Sequence, residues 1–429
     1  MKTVLGCGIA LLAATFAQGA AVATVDGVTV DAAARCVKVA YTLMGGDAIV
    51  TASFTTNGVP VAAERSTALV GDVNRRVGAG AASFTWYAQS DLGNLPACEV
   101  GVELALWSAA NPPDYMAVNL AAASNVTYYA SVDALPGGIG ADRWRVSELL
   151  MRRIRAKGAT FPMGKNSVDT SRIKEHAVTL TNDYYIGVFE LTQGQLVNIS
   201  GLNVSYDAKP DLKGWIQGNW YTNAACAATR PADNLLWRTL RGSSAGYAYP
   251  ASFAVDDWSI LGKLRAHCGL EIDLPTEAMW EFACRGGSES QCFYTDLGLT
   301  RNDVSRNAHN GGRPASGYSP RDVADDQTTA RVGSYAPNAY GLYDMYGNVN
   351  ELCLDRYAAL TDGRAAVDPL GDRTAGGCVA RGGNCTSDDK WLTSAMRMGP
   401  PIQTMLNPNA GDLYGARLAL RLYDPPDGE

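Results

Sequence analysis

Histidine is scarce in this chain of 429 residues, which contains only His176, His267 and His309. A metal cage built from several imidazoles is therefore excluded, as are mechanisms that need a cluster of histidines. Basic residues are outnumbered as well, with 36 lysines and arginines against 43 acidic residues and a formal net charge of -7. Because nucleic acids and anionic membranes are bound by basic surfaces, neither is expected as a partner.

The sequence also lacks a C-x-x-C pair and a long apolar run. The first absence excludes zinc-ribbon and thioredoxin-like sites, and the second excludes a transmembrane helix, which needs about 20 apolar residues. A shorter apolar run, over residues 4–16, follows Lys2 and precedes small residues. This pattern is typical of a secretory signal peptide, here residues 1–20. We therefore expect an exported protein that is periplasmic, extracellular or displayed on the cell surface.

The N-terminal part of the chain has strand patterns. Apolar and polar residues alternate over residues 36–41 and 99–104, as in a sheet with one buried face. Runs of this kind, separated by turn residues, predict a small all-β, immunoglobulin-like sandwich over residues 21–134. Cys36 and Cys98 lie in two of these runs, where they either bridge the sheets or remain two separate thiols. Glycine and proline in residues 135–144 predict a linker.

Residues 145–429 combine a few helices with much irregular chain. Helical patterns occur over residues 192–198, over residues 255–267 and after Thr276, where Thr276 is a capping residue and Gly286 ends the helix. Glycine, asparagine, aspartate and proline are frequent after residue 293, which indicates long ordered loops. An α+β domain follows from this mixture.

Six motifs of this second part are recognisable together. In order, they are Phe161-Pro162-Met163-Gly164, Tyr185-Ile186-Gly187-Val188-Phe189-Glu190, Leu274-Pro275-Thr276-Glu277-Ala278-Met279-Trp280, Asn338-Ala339-Tyr340-Gly341-Leu342-Tyr343, Arg381-Gly382-Gly383 and Gly415-Ala416-Arg417-Leu418. Through them, residues 145–429 resemble the formylglycine-generating enzyme, or sulfatase-modifying factor, family. The resemblance implies a variant of the C-type-lectin fold with much irregular structure.

The resemblance also implies a copper-dependent oxidation that needs two cysteines. The oxidases of this family convert a sulfatase cysteine in a Cys-x-Pro-x-Arg context to formylglycine, using molecular oxygen and copper held by two cysteines. The positions that match those cysteines are Ser387 and Leu392, and neither side chain can act as a soft thiolate ligand. We therefore expect no bound copper and no catalytic residues. Cys378 and Cys385 flank the Arg-Gly-Gly motif and are interpreted as a disulfide or as two separate core thiols.

Calcium is the cofactor that the resemblance does imply. Asn348, the carbonyl of Val349 and Glu351 match the part of the family pattern associated with a calcium site, and mixed oxygen ligands suit this ion. The alternative is an asparagine turn followed by a surface glutamate. A second acidic group consists of Asp322, Asp325 and Asp326. It could serve a cation, although a cluster of this kind is more typical of a solvated loop.

Residues 384–414 depart from the family pattern, although the motifs on either side match it. The interval is rich in aromatic, methionine and charged side chains, which is the composition of a recognition surface. The predicted ligand-binding residues are Asn384, Ser387, Asp388, Lys390, Trp391, Met396, Met398 and Tyr414. A core position for the apolar ones is the alternative. The contrast with the matching motifs also resembles lectin-fold proteins whose C-terminal segment is diversified for ligand binding.

The sequence therefore predicts an exported, non-catalytic relative of this family that binds a protein or a glycan. The first alternative is a true formylglycine-generating oxidase with displaced cysteines. The second is a structural component of the cell surface in which both domains act as spacers.

Overall fold

The computed structural model describes residues 21–31, 33–93, 98–121, 125–201, 205, 214–216, 219–221, 227–244, 248–310, 329–360, 362–371, 377–399 and 413–422. The predicted signal peptide over residues 1–20 lies outside these ranges. The chain divides into two compact units. One comprises residues up to Met116 together with Val126–Ala141, and the other comprises Ala117–Asn125 and the chain from Asp142 onward.

The first unit is an all-β sandwich. Its strands are β1 (Val22–Asp31), β2 (Cys36–Met44), β3 (Ala48–Thr56), β4 (Val59–Pro60), β5 (Leu69–Gly71), β6 (Arg75–Val77), β7 (Gly80–Trp86) and β8 (Val100–Trp107), with a short helix α1 (Ala88–Leu92). Along the chain, β9 (Tyr115–Asn119) and β10 (Asn125–Tyr129) follow. One sheet has the order β1-β2-β7-β5, and in the other β3 pairs with β4, β6 and β8.

The two sheets of this unit share one apolar core. The alternation predicted for residues 36–41 is confirmed, because Val37, Val39 and Tyr41 are buried while Lys38 between them is exposed. Phe54 of one sheet stacks on Trp86 of the other, with ring centroids 4.2 Å apart. Cys36 and Cys98 are separate thiols, so the core is held by side-chain packing and not by a bridge between these two residues.

The second unit has short helices and many short strands. The helices are α2 (Arg143–Val146), α3 (Gln193–Ser200), α4 (Trp237–Arg241), α5 (Ile260–Cys268), α6 (Glu277–Arg285), α7 (Phe293–Asp296) and α8 (Arg301–Val304). The strands are β11 (Glu148–Ile154), β12 (Ala159–Met163), β13 (His176–Leu180), β14 (Tyr184–Gly187), β15 (Gly214–Ile216), β16 (Asn219–Tyr221), β17 (Ser305–Arg306), β18 (Tyr346–Gly347), β19 (Asn350–Arg356), β20 (Ala366–Val367), β21 (Cys378–Arg381), β22 (Arg397–Met398), β23 (Tyr414–Ala416) and β24 (Ala419–Arg421).

Two sheets and one helix position the candidate site. In one sheet β14 pairs antiparallel with both β11 and β24, and the other has the order β22-β21-β19-β23. Helix α6 packs against β19 and β21, and the β21–β22 loop, residues 382–396, leaves the sheet beside it. The predicted α+β class is confirmed for the second unit, which is rich in irregular structure and follows a small β-sandwich along the chain.

Helices α5 and α6 each begin after a residue whose side chain caps the first turn. Thr276 caps α6 as predicted, since its hydroxyl oxygen accepts the N–H of Met279 at 3.2 Å, and Gly286 follows the last turn at a φ of 57°. Helix α5 is shorter than the predicted 255–267. It begins after Ser259, whose hydroxyl accepts the N–H of Gly262 at 3.0 Å. In the described ranges, no helix is long and apolar enough to cross a membrane.

Candidate functional site

A buried arginine holds the β21–β22 loop against helix α6. Arg381, at the end of β21, is fully buried and forms ion pairs with Glu277 and Glu281 of α6. Its Nη1 also donates hydrogen bonds of 2.8 Å to the backbone carbonyls of Ser394 and Met396. One guanidinium group therefore holds both the helix and the end of the loop. Burial alone would raise the pKa of Glu281, but the neighbouring arginines outweigh it and lower the pKa.

Two further arginines complete this framework. Arg397 of β22 forms a bidentate pair with Glu277, at 2.7 and 2.6 Å. Arg417 pairs with Glu351 of β19 at 2.7 Å, and Glu351 also accepts the indole N–H of Trp280 at 2.6 Å. Breaking a buried pair by removing one partner costs about 3–5 kcal/mol. The residues that carry the family resemblance therefore have a structural role, which is to fix the backbone around the loop.

The side chains of Ser387 and Leu392 meet at Gly383. A Cβ atom built on Gly383 would lie 3.0 Å from Leu392 Cδ2 and 3.1 Å from Ser387 Oγ. Both side chains therefore face the same small space, which Gly383 leaves open at a φ of 75°. The structure thus brings together the two positions that the sequence matched to the copper-binding cysteines. It places a hydroxyl group and an isobutyl group there.

Two cysteines that the sequence analysis did not single out contact the same loop. The thiol of Cys292 donates to the carbonyl oxygen of Leu392 at 3.4 Å, and that of Cys284 lies 3.8 Å from the hydroxyl of Ser394. Burial raises the pKa of both thiols, that of Cys284 to about 12. Both are therefore protonated at neutral pH and are poor nucleophiles and metal ligands in this state.

Cys378 and Cys385, which flank the Arg-Gly-Gly motif, are both buried, and no disulfide joins them. Burial raises the pKa of the Cys378 thiol to about 12. Cys385 packs with Val349 and Leu413 in a small apolar cluster. Of the two interpretations left open by the sequence, the structure has two separate core thiols. A further cysteine, Cys226, lies outside the described residues.

The predicted ligand-binding residues are divided between core and surface. Four of them are buried, namely Asn384, Ser387, Met396 and Tyr414. Three are half-buried, namely Asp388, Trp391 and Met398, while Lys390 is exposed. For Met396 and Tyr414 the alternative of a core position is what the structure has: Arg381 holds the carbonyl of Met396, and Tyr414 lies in β23, which pairs with β19. Residues 400–412 of the predicted segment lie outside the described ranges.

The exposed part of the predicted segment is centred on Trp391. The guanidinium carbon of Arg172 lies 5.8 Å from the centroid of its ring, and the ammonium nitrogen of Lys390 lies 5.4 Å from it. Both distances are within the range of cation–π contacts. The indole is therefore flanked by cations from two segments far apart in the sequence.

Charged residues extend this surface. Asp389 pairs with Arg301, and Nε2 of His309 lies 3.4 Å from the same carboxylate. Sequence reasoning missed Arg172, Arg301 and His309 as members of the site, because no spacing pattern connects them to residues 388–391. We call the whole set the Trp391 surface; its members are Arg172, Arg301, His309, Asp388, Asp389, Lys390 and Trp391.

The side chains of the predicted calcium site are engaged by protein groups. Asn348, at a φ of 58°, accepts the N–H of Ala330 at 2.8 Å and donates to Glu190 at 2.6 Å. Both carboxylate oxygens of Glu351 accept from Arg417, and Glu351 is buried, so the alternative of a surface glutamate is wrong. Val349 donates its N–H to Glu190 at 3.1 Å. This arrangement does not fit a calcium ion unless Asn348 and Glu351 exchange their partners.

Other acidic side chains do not provide a second site within the described residues. No group of three or more histidine, cysteine, aspartate or glutamate side chains there is placed to hold a metal ion. The second acidic group of the sequence, at Asp322, Asp325 and Asp326, lies outside the described ranges. Calcium binding stays a prediction.

Comparison with known proteins gives a consistent family match. Residues 147–419 match the family described as "Sulfatase-modifying factor enzyme 1-like domain". The formylglycine-generating enzyme of Thermomonospora curvata is 37% identical over 117 residues, which are 26% of this chain and 37% of that protein. A Bos taurus protein named "Inactive C-alpha-formylglycine-generating enzyme 2" is 33% identical over 133 residues, which are 30% of this chain and 42% of that protein.

The chain thus spans less than half the length of these two relatives. Among solved structures, Treponema denticola variable protein 1 is 23% identical and superposes with a TM-score of 0.46. That alignment covers 64% of this chain and 95% of the other.

Proposed function

The chain belongs to the sulfatase-modifying factor enzyme 1-like family, and from this premise we propose that it is an exported, non-catalytic member that binds a protein or a glycan. The observation that carries the proposal is the meeting of Ser387 and Leu392 at Gly383. A copper site of the kind implied by the family needs two soft thiolate ligands at one metal ion. A hydroxyl group and an isobutyl group supply neither.

The remaining thiols support the same proposal. An oxidase with displaced ligands would have to use thiols near the loop. Cys385 lies in the loop itself, within an apolar cluster, and two further described thiols, Cys284 and Cys292, contact the loop. Burial raises the pKa of both, so binding a metal would require each to lose a proton in an apolar environment. Their contacts with Ser394 and Leu392 nevertheless make them the first thiols to test for the oxidase alternative.

The framework is suited to holding a loop whose side chains differ between relatives. Arg381 binds the loop through the backbone carbonyls of Ser394 and Met396, and every amino acid has a backbone carbonyl. Substitutions in the loop can therefore leave these hydrogen bonds in place. This supports the proposal that the segment beginning at residue 384 is the recognition element and that it tolerates diversification.

The Trp391 surface supports binding as the role of this loop. Tryptophan and arginine are enriched among the residues that dominate binding energies, and here a half-buried tryptophan is flanked by Arg172 and Lys390. Asp389 and Arg301 add charged groups at its rim. A framework that is rigid through buried ion pairs would present these side chains in one arrangement, which lowers the entropic cost of binding.

Catalysis is tested with a Cys-x-Pro-x-Arg peptide. The purified protein is supplied with copper and incubated with the peptide in air, and mass spectrometry follows the loss of the thiol and the gain of the aldehyde. We expect no conversion, while an active formylglycine-generating enzyme converts the same peptide in parallel. Turnover that is lost in the Cys292→Ala variant would refute the proposal and establish the oxidase alternative.

Binding is tested separately with a glycan array and a displayed-peptide library. Ligands selected by the wild-type protein are expected to lose affinity for Trp391→Ala. The matched control is Trp258→Ala, because Trp258 is 56% exposed but lies outside the Trp391 surface. Equal losses in both variants, or in neither, would contradict the assignment of the recognition surface.

A further inference from the structure

A cavity of about 200 Å³ lies in the second unit beside the first turn of α6. Most of its exposed wall is apolar. The apolar and aromatic side chains that line it are Leu180, Tyr184, Phe253, Met279 and Leu370. None of these residues belongs to the Trp391 surface, and an inference drawn from the cavity is independent of the proposed function.

Hydrogen bonds fix two sides of the cavity. Leu180 and Tyr184, of β13 and β14, are buried, and the hydroxyl of Tyr184 donates to the backbone carbonyl of Met279 at 2.7 Å. The backbone carbonyl of Leu370 accepts the hydroxyl of Tyr249 at 3.0 Å. The walls are therefore already ordered, and a ligand would not have to spend binding free energy on ordering them.

The charged side chains at the cavity favour an ion of neither sign. Asp183 and Asp368 line it together with Arg421. Because Arg153 pairs with Asp183 at 2.6 Å, arginines and acids are equal in number here. Asp368 accepts the backbone N–H of Thr181 at 3.0 Å. The cavity therefore has no excess charge that would attract an ion.

Arg421 is engaged by the protein as well. Its guanidinium carbon lies 3.6 Å from the centroid of the Phe253 ring, and it has further contacts within the protein. Each charged group that lines the cavity thus has a protein partner. An ionic ligand would lose its hydration without gaining an unpaired group of opposite sign, and burying a charge in this way is costly. A neutral molecule does not meet this cost.

We propose that this cavity binds a small neutral molecule with an aromatic or aliphatic body. A cavity of about 150 Å³ with apolar walls holds benzene, whereas pockets for drug-sized molecules start at about 300 Å³. A single ring with a short substituent therefore matches the volume. Contact with Leu180, Met279 and Leu370 would remove apolar surface from water.

The probe is benzyl alcohol, titrated into the full-length protein by isothermal calorimetry near neutral pH. Benzoate and benzylamine have the same ring and are an anion and a cation under these conditions. We expect saturable binding of the alcohol and about tenfold or more weaker binding of both ions, because each would bury a charge without a partner. Binding of either ion as tight as that of the alcohol, or no saturable binding of the alcohol, would overturn the proposal.

Two tryptophan substitutions locate the binding. Leu370→Trp places a large side chain in the cavity and should abolish binding of benzyl alcohol. Val367→Trp is the matched control, because Val367 lies in the neighbouring strand β20, is 65% exposed and does not line the cavity. Unchanged affinity in a folded Leu370→Trp variant, or equal losses in both variants, would refute the site. If Leu370→Trp does not fold, Leu370→Phe replaces it with the same expected loss, and the comparison of the three ligands still decides.

Discussion

Replacing Asp355 by asparagine is expected to make the stability of the second unit less sensitive to pH. The Asp355 carboxylate is buried and accepts the backbone N–H of Glu277, at the start of α6, at 2.6 Å. Burial raises the pKa of Asp355 from 3.8 to about 7, and the neighbouring Glu277 carboxylate contributes in the same direction. Asparagine has nearly the same shape and retains an acceptor oxygen, but it does not titrate.

The direction of the effect follows from proton linkage. Below about pH 3.8 the carboxyl group is protonated in the folded and the unfolded chain, and its stabilising contribution is fully present. As the pH rises to 7, the unfolded chain loses the proton first, so the free energy of unfolding falls. At 1.36 kcal/mol per pKa unit the total loss is about 4 kcal/mol, of which about 2.5 kcal/mol falls between pH 5 and pH 8.

Urea unfolding at pH 5 and pH 8 measures this loss, with tryptophan fluorescence as the signal, because Trp237 and Trp280 of the second unit are fully buried. Other buried acids titrate as well, and the informative quantity is therefore the difference between wild type and Asp355→Asn. Asp362→Asn, at an exposed aspartate, is the control and should behave as wild type does. If wild type and Asp355→Asn lose the same free energy between the two pH values, the reasoning is refuted.

Three further predictions concern the arginine framework, copper binding and calcium binding. Arg381→Met should lower the free energy of unfolding by about 3–5 kcal/mol, because it leaves Glu281 and Glu277 buried with fewer partners. The exposed Arg364→Met should change that free energy by less than about 0.5 kcal/mol, and urea unfolding compares the two. The double variant Ser387→Cys with Leu392→Cys should compete with a colorimetric chelator for Cu(I), whereas wild type and the single variants should not. Strong Cu(I) binding by wild type would show that the ligands lie elsewhere. Calcium titration should give a dissociation constant no lower than about 0.1 mM, the lower end of the range for weak extracellular sites, because Glu351 must first leave Arg417. A micromolar dissociation constant would contradict this.

Local patterns in the sequence carried much of the fold. The alternation in β2 and the capping of α6 by Thr276 depend on residues within a few positions of one another, and both were predictable. The start of α5 was placed too early, because the apolar spacing continues back to residue 255. The helix nevertheless begins only after its N-cap, Ser259. Where the apolar spacing allows more than one start for a helix, the start is set by the side chain that caps the first backbone N–H groups.

The candidate site depended on contacts that one sequence does not reveal. Glu351 was interpreted as a calcium ligand, but its carboxylate pairs with Arg417, 66 residues away. Met396 was predicted to bind a ligand because methionine is frequent in recognition surfaces. It is buried instead, and Arg381 holds its carbonyl oxygen. Ser387 and Leu392 were identified by their distance along the chain from the Arg-Gly-Gly motif. Only the structure shows that both side chains face one space at Gly383.

The buried thiols have a consequence for how the protein is made. Six of the eight cysteines that the structure describes belong to the second unit, and all six are buried. In an oxidising compartment they would be open to disulfide exchange only while the chain is unfolded, so folding and oxidation would compete there. Slow folding would trap mismatched disulfides, whereas a folded chain would resist oxidants. Refolding under reducing conditions, followed by exposure to oxidant, should therefore give a higher yield than the reverse order.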